Sequence, residues 1–115
     1  MPTLDDLLSG HCQDYPEGSP TLSPDEVAER VALVPDWELV DDARGLRLSR
    51  RMADFNAAIE LVNQVAEVAE AEQHHPDIRV HGYRNIVLDL STHSLGGLTD
   101  NDFIMAAKID RLRAG

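Results

Sequence analysis

Glu70-Ala71-Glu72-Gln73-His74-His75-Pro76 ends one element of this chain, and Ile86-Val87-Leu88-Asp89-Leu90-Ser91-Thr92-His93 ends another. The first run closes a helix, because the residue before a proline is pushed out of the helical region. The second is rich in branched and apolar residues and reads as a strand, with His93 at its end. A helix end and a strand end can bring imidazoles together from distant sequence positions. Gly96-Gly97 then breaks the chain, and Thr99-Asp100-Asn101-Asp102 is a capping-box-like start to a last helix running from Asp100 to about Arg113.

Upstream, Asp54 caps the helix that ends near Gln73. Phe55, Ala58, Ile59, Val62, Ala66 and Ala69 form one apolar stripe on it, and Leu61, Val65 and Val68 form a second. One stripe suffices for a helix at a monomer surface, so the second predicts a subunit interface. The rival expectation is that Leu4, Leu7 and Leu8 fold back over it. Trp37-Glu38-Leu39-Val40 and Leu46 to Arg50 alternate around a turn at Asp41–Gly45 and read as a hairpin. Ser23-Pro24-Asp25-Glu26 starts a helix with the stripe Val27, Val31 and Val34, ended by Pro35. Ile78 and Val80 make a third strand, followed by a turn at His81–Arg84. The order α-β-β-α-β-β-α predicts an α+β domain over residues 23–115: a four-stranded antiparallel sheet with three helices on one face. Residues 1–22 form an acidic extension, and composition makes Gly10 to Pro20 an irregular, mobile linker.

The chain has 115 residues and a formal net charge of −11. Residues 1–45 hold eleven acids and two bases, so the excess charge lies in the N-terminal third. Such a surface repels phosphate backbones, and no nucleic-acid partner is expected. The cluster Arg44, Arg47, Arg50 and Arg51 reads as a solvated strand face. No apolar run approaches the ~20 residues that span a bilayer. Cys12 is the single cysteine, which excludes an internal disulfide and fits a reducing, cytoplasmic setting.

Three chemistries compete for His74, His75 and His93. Adjacent histidines on a bent backbone diverge, and neither H-x₃-H nor H-E-x-x-H spacing occurs, so no metal is expected. Structural histidines satisfied by hydrogen bonds are the second reading. Metal-free proton transfer is the third, and three imidazoles at element ends beside Glu70 and Asp102 favour it. Imidazole exists in both protonation states near neutral pH, so one ring can donate while another accepts.

Glu70-x₃-His74-His75-Pro76, then Tyr83, then Thr92-His93-x₃-Gly97-Leu98-Thr99-x₂-Asp102 resembles the signature of the pterin-4a-carbinolamine dehydratase (DCoH-like) family. The resemblance extends to Ser23-Pro24-Asp25-Glu26, Trp37, Asp54-Phe55 and Ala106-Ala107-Lys108-Ile109-Asp110, covering roughly residues 22–112. It implies the same fold, assembled as homo-oligomeric dimers or tetramers. It also implies a lyase without cofactor, which removes water from 4a-hydroxytetrahydropterin to give quinonoid dihydropterin. On that resemblance His74 and His93 are the acid–base pair, in either order. His75 binds the pterin or assists, Glu70 and Asp102 orient imidazoles, and Trp37 and Thr92 line the substrate site. The family often has Asp or Asn where this chain has Gln73, and the interval from Pro76 to Tyr83 is one residue longer than in many members. Relatives that serve as Rubisco assembly factors supply the alternative: a non-catalytic, carboxysome-associated binding module.

Overall fold

The computed structural model describes residues 1–114; Gly115, the last residue of the expected domain, lies outside them. Its elements are α1 (Leu4–Ser9), α2 (Pro24–Val31), β1 (Glu38–Val40), β2 (Gly45–Arg51), α3 (Phe55–Glu72), β3 (Asp77–His81), β4 (Asn85–Leu90) and α4 (Asp100–Ala114). A 3₁₀ turn at His93–Leu95 joins β4 to α4. The expected α+β order is present, preceded by the short α1.

Helix starts follow from their caps. The Ser23 hydroxyl accepts the Glu26 N–H while the Glu26 carboxylate accepts the Ser23 N–H, and Pro24 fills the first helical position. Asp54 accepts the Ala57 N–H at 2.8 Å. Helix α2 stops at Val31, ahead of Pro35, but Val34 completes its stripe from the following turn and is fully buried.

The sheet order is β1-β2-β4-β3, antiparallel throughout. Register sets the two faces. Leu46 lies opposite Leu90, Leu48 opposite Leu88, and Val80 opposite Ile86, and these residues join Phe103, Met105 and Ile109 of α4 in the core. The alternate positions carry Arg47, Asp89 and Asp77 side by side on the other face. A period of two makes one face apolar and leaves the other polar.

The two stripes of α3 do not divide as expected, because each contributes buried residues. Leu61 and Val65 are buried within the single chain, with Ala58 and Ala69 between and beside them. Helices α3 and α4 pack together, so Leu61 and Val65 face inward and cannot form an interface. Of the first stripe, Phe55 is 51% exposed and Ala66 is exposed, while Ile59 and Val62 are half-buried, Val62 against the core. Folding back of the extension is seen, but α1 packs on α4, with Leu7 buried and Leu4 left in solvent.

The interval Gly10 to Pro20 is irregular, as composition indicates, yet it is anchored. Backbone or side-chain hydrogen bonds hold Cys12 and Gln13, and Leu22 donates its N–H to the Leu98 carbonyl at 2.9 Å.

Candidate functional site

Helix α3 ends in a left-handed residue. Gln73 has φ 54° and ψ 40°, and both it and His74 donate their N–H to the Ala69 carbonyl. Asn and Asp adopt this conformation at lower cost than Gln, so Gln73 holds it at some cost in backbone energy. The reversal turns His74 back toward the first turn of α4, while Pro76 carries the chain into β3.

His74 meets Asp102 there. The ring Nε2 lies 2.7 Å from Asp102 Oδ1; the His74 side chain is 11% exposed and Asp102 is fully buried. A carboxylate only accepts, so Nε2 of His74 donates to it, and in the neutral ring the lone pair sits on Nδ1. The second oxygen, Oδ2, accepts the Thr99 N–H at 3.0 Å and the Thr92 hydroxyl at 2.9 Å. With the Thr92 proton committed to Asp102, the Thr99 hydroxyl donates to Thr92 at 2.8 Å. The expected capping box is therefore half made: Asp102 takes the Thr99 N–H, but the Thr99 hydroxyl serves the site.

This network joins the two histidine segments, because Thr92 immediately precedes His93. The strand ends at Leu90, however, two residues sooner than its sequence suggests. Thr92 pairs with Gly97 through a 2.9 Å bond from its N–H, Gly96 takes φ 71°, and His93 opens the 3₁₀ turn on the surface. Gly97 lies close against Thr21: a Cβ there would stand 3.0 Å from the Thr21 side chain, which would have to give way by a few tenths of an ångström.

A cavity of about 400 Å³ adjoins His93, lined also by Arg44, Arg47, Asp77, Asp89 and Ser91. That volume lies in the range of small-molecule sites. Asp77 brings it to within three residues of His74, although His74 and His75 are not among its lining residues. Arg47 and Asp89 pair across strands at 2.7 Å. Register alone brings Arg47, Asp89 and Asp77 beside His93, which is why the sequence did not reveal them.

The remaining expected residues are distributed as follows. His75 Nε2 lies 2.6 Å from Glu70 Oε2, an exposed pair. Thr92 is buried with its hydroxyl engaged, so here it supports Asp102. Trp37, 3% exposed, donates its indole N–H to Asp110 on α4 at 2.9 Å and lies in the core. Among the described residues no group of three or more His, Cys, Asp or Glu has the arrangement to hold a metal ion. Among the described residues no helix is long and apolar enough to cross a membrane.

Two residues before His74, Glu72 is a second carboxylate with a buried side chain, and nothing in its sequence pattern marks it out. Its Oε1 accepts the Cys12 N–H at 2.7 Å, and its Oε2 lies 2.8 Å from Lys108 Nζ and 3.0 Å from His11 Nδ1. Burial works against the Glu72 carboxylate, but donation from Lys108, the Cys12 N–H and His11 outweighs it and holds the group down to about 2. Burial, with Glu72 nearby, pushes the Cys12 thiol up to about 12, so it stays protonated and unreactive at neutral pH. A depressed carboxylate contributes stability above its unfolded value of 4.5 and loses it as pH falls toward 2. Urea unfolding of Glu72→Gln and wild type across that window should show a gap that is constant above 4.5 and closes below it. A gap that persists undiminished at pH 2 would contradict this account of Glu72.

The family described as "Pterin 4 alpha carbinolamine dehydratase" matches residues 20–112. A protein of Methylococcus capsulatus named "Putative pterin-4-alpha-carbinolamine dehydratase" is 40% identical, with 94% of each chain covered. One of the same name from Xanthomonas oryzae is also 40% identical, over 97% of this chain and 94% of its own. These alignments reach into residues 1–19, which the family match leaves out. The crystal structure of a "transcriptional coactivator/pterin dehydratase" from Brucella melitensis superposes with a TM-score of 0.75 at 30% identity, covering 81% of this chain and 98% of that one.

Proposed function

Because the chain belongs to the pterin-4-alpha-carbinolamine dehydratase family, we propose that it dehydrates 4a-hydroxytetrahydropterin to quinonoid dihydropterin by histidine acid–base catalysis. The observation that carries this reading is the buried Asp102 carboxylate, which fixes the His74 tautomer through one oxygen and holds Thr92, the neighbour of His93, through the other. The C4a hydroxyl needs a proton to leave as water, and N5 must give one up to form the new double bond. His74 and His93 perform these two transfers. His75, oriented by Glu70, binds the pterin. Purified protein mixed with freshly formed 4a-hydroxytetrahydropterin should speed the appearance of quinonoid dihydropterin over buffer. No acceleration at micromolar protein would refute the activity.

The working form is a cytoplasmic homo-oligomer. Its support is the outer face of α3, where Phe55 is exposed beside the half-buried Ile59, apolar side chains at the surface of an otherwise acidic chain. Light scattering should give at least twice 12.7 kDa, and Phe55→Glu with Ile59→Glu should lower that mass. A monomeric wild type would contradict it.

A further inference from the structure

We infer that residues His11–Gln13 form a positioning strap for the His74–Asp102 pair, an inference that rests on the dehydratase reading for its effect on rate. The pair joins two elements that share no backbone ladder: the end of α3, which carries His74, and the first turn of α4, which carries Asp102. The strap bonds to the neighbour of each. On the α3 side, the Cys12 N–H donates to Glu72, two residues before His74. On the α4 side, Asn101, the residue before Asp102, closes a two-bond ring with the Gln13 backbone. The Gln13 N–H donates to Asn101 Oδ1 at 3.0 Å, and Asn101 Nδ2 donates to the Gln13 carbonyl at 2.7 Å. Reading both the donor and the acceptor of one backbone residue requires an amide side chain.

These bonds are sheltered, which gives them directional force. Asn101 is 5% exposed, and the Glu72 and Lys108 side chains are 7% and 16% exposed. Lys108 of α4 reaches the same Glu72 oxygen that His11 approaches, so strap, α3 and α4 converge on one carboxylate. The 2.7 Å contact from His74 Nε2 to Asp102 depends on how these two segments are placed, and a misplacement of about 1 Å can cost up to 10²-fold in rate. Among the described residues the strap makes no hydrogen bond to the His74 ring or to the Asp102 carboxylate. It acts through Glu72 and Asn101.

Two full-length variants cut the strap from opposite sides. Asn101→Ala removes both amide bonds to Gln13, and Cys12→Pro removes the N–H given to Glu72. Each should lower kcat about tenfold with KM within about twofold, and shift the ¹⁵N signals of the His74 ring while those of His75 stay in place. Val34→Ala, a core truncation outside strap and site, should lower the melting temperature at least as much and leave kcat and the His74 signals at their wild-type values. Unchanged kcat and His74 signals in both strap variants overturn the inference. So does an equal change in Val34→Ala, which would make the effect one of general stability. Should wild type fail to turn over, the His74 signals decide alone: a shift in the strap variants upholds the strap while the dehydratase reading falls, and no shift overturns the strap.

Discussion

His74→Ala is expected to lower turnover by about 10²–10⁴-fold with little change in pterin binding, the range found when a proton-transfer partner is removed. The ring is mostly shielded, its Nε2 is committed to Asp102, and Nδ1 remains for chemistry. On the proposed mechanism its contribution belongs to the transition state, where the proton moves. His93→Ala is expected to act in the same way. His75→Ala should mainly raise KM, because His75 is exposed and its ring pairs with the exposed Glu70. Steady-state kcat and KM for the three variants separate these roles, and equal, small effects at all three would count against them.

The second large effect is at Asp102. Asp102→Ala should cost about 3–5 kcal/mol of folding stability, because it strips the acceptor from three donors in a buried place. Those donors are the His74 ring, the Thr92 hydroxyl and the Thr99 N–H. Turnover should fall with it, since His74 loses its tautomer and its orientation. Asp102→Asn keeps the shape but turns an NH₂ toward one of the donors, so it should retain more stability than alanine and still lose turnover. Urea midpoints at constant m-value, read beside kcat, test both statements. An alanine variant of wild-type stability would show that the donors find other partners.

Much of the fold can be read from the chain because local signals agree with one another. Ser23-Pro24, Asp54 and Thr99 each start a helix, and the alternation of Leu46 and Leu48 is answered across the sheet by Leu88 and Leu90. Periodicity could not say how the two stripes of α3 divide between core and surface, where Ala58, Leu61, Val65 and Ala69 face inward. Both stripes are apolar, and the division depends on where α4 lies. The end of β4 moved because a backbone bond between Thr92 and Gly97 competes with the ladder, a contact that side-chain identity does not reveal. Within the site, histidines at element ends were legible. The 28-residue link from His74 to Asp102 became visible only once the chain had folded. The anchoring of residues 12 and 13 was hidden for a simpler reason: backbone groups make the bonds to the Glu72 and Asn101 side chains, and the Cys12 side chain adds only a 3.5 Å bond from Sγ to the Asn101 carbonyl.

The central claim is that His74 and His93 together carry the proton transfers. The direct measurement is the rate of 4a-hydroxytetrahydropterin dehydration by wild type and by His74→Ala/His93→Ala, at matched protein concentration and with both proteins verified as folded. The expected result is a wild type well above the buffer rate and a double variant close to it. A double variant that keeps most of the wild-type rate would contradict the claim.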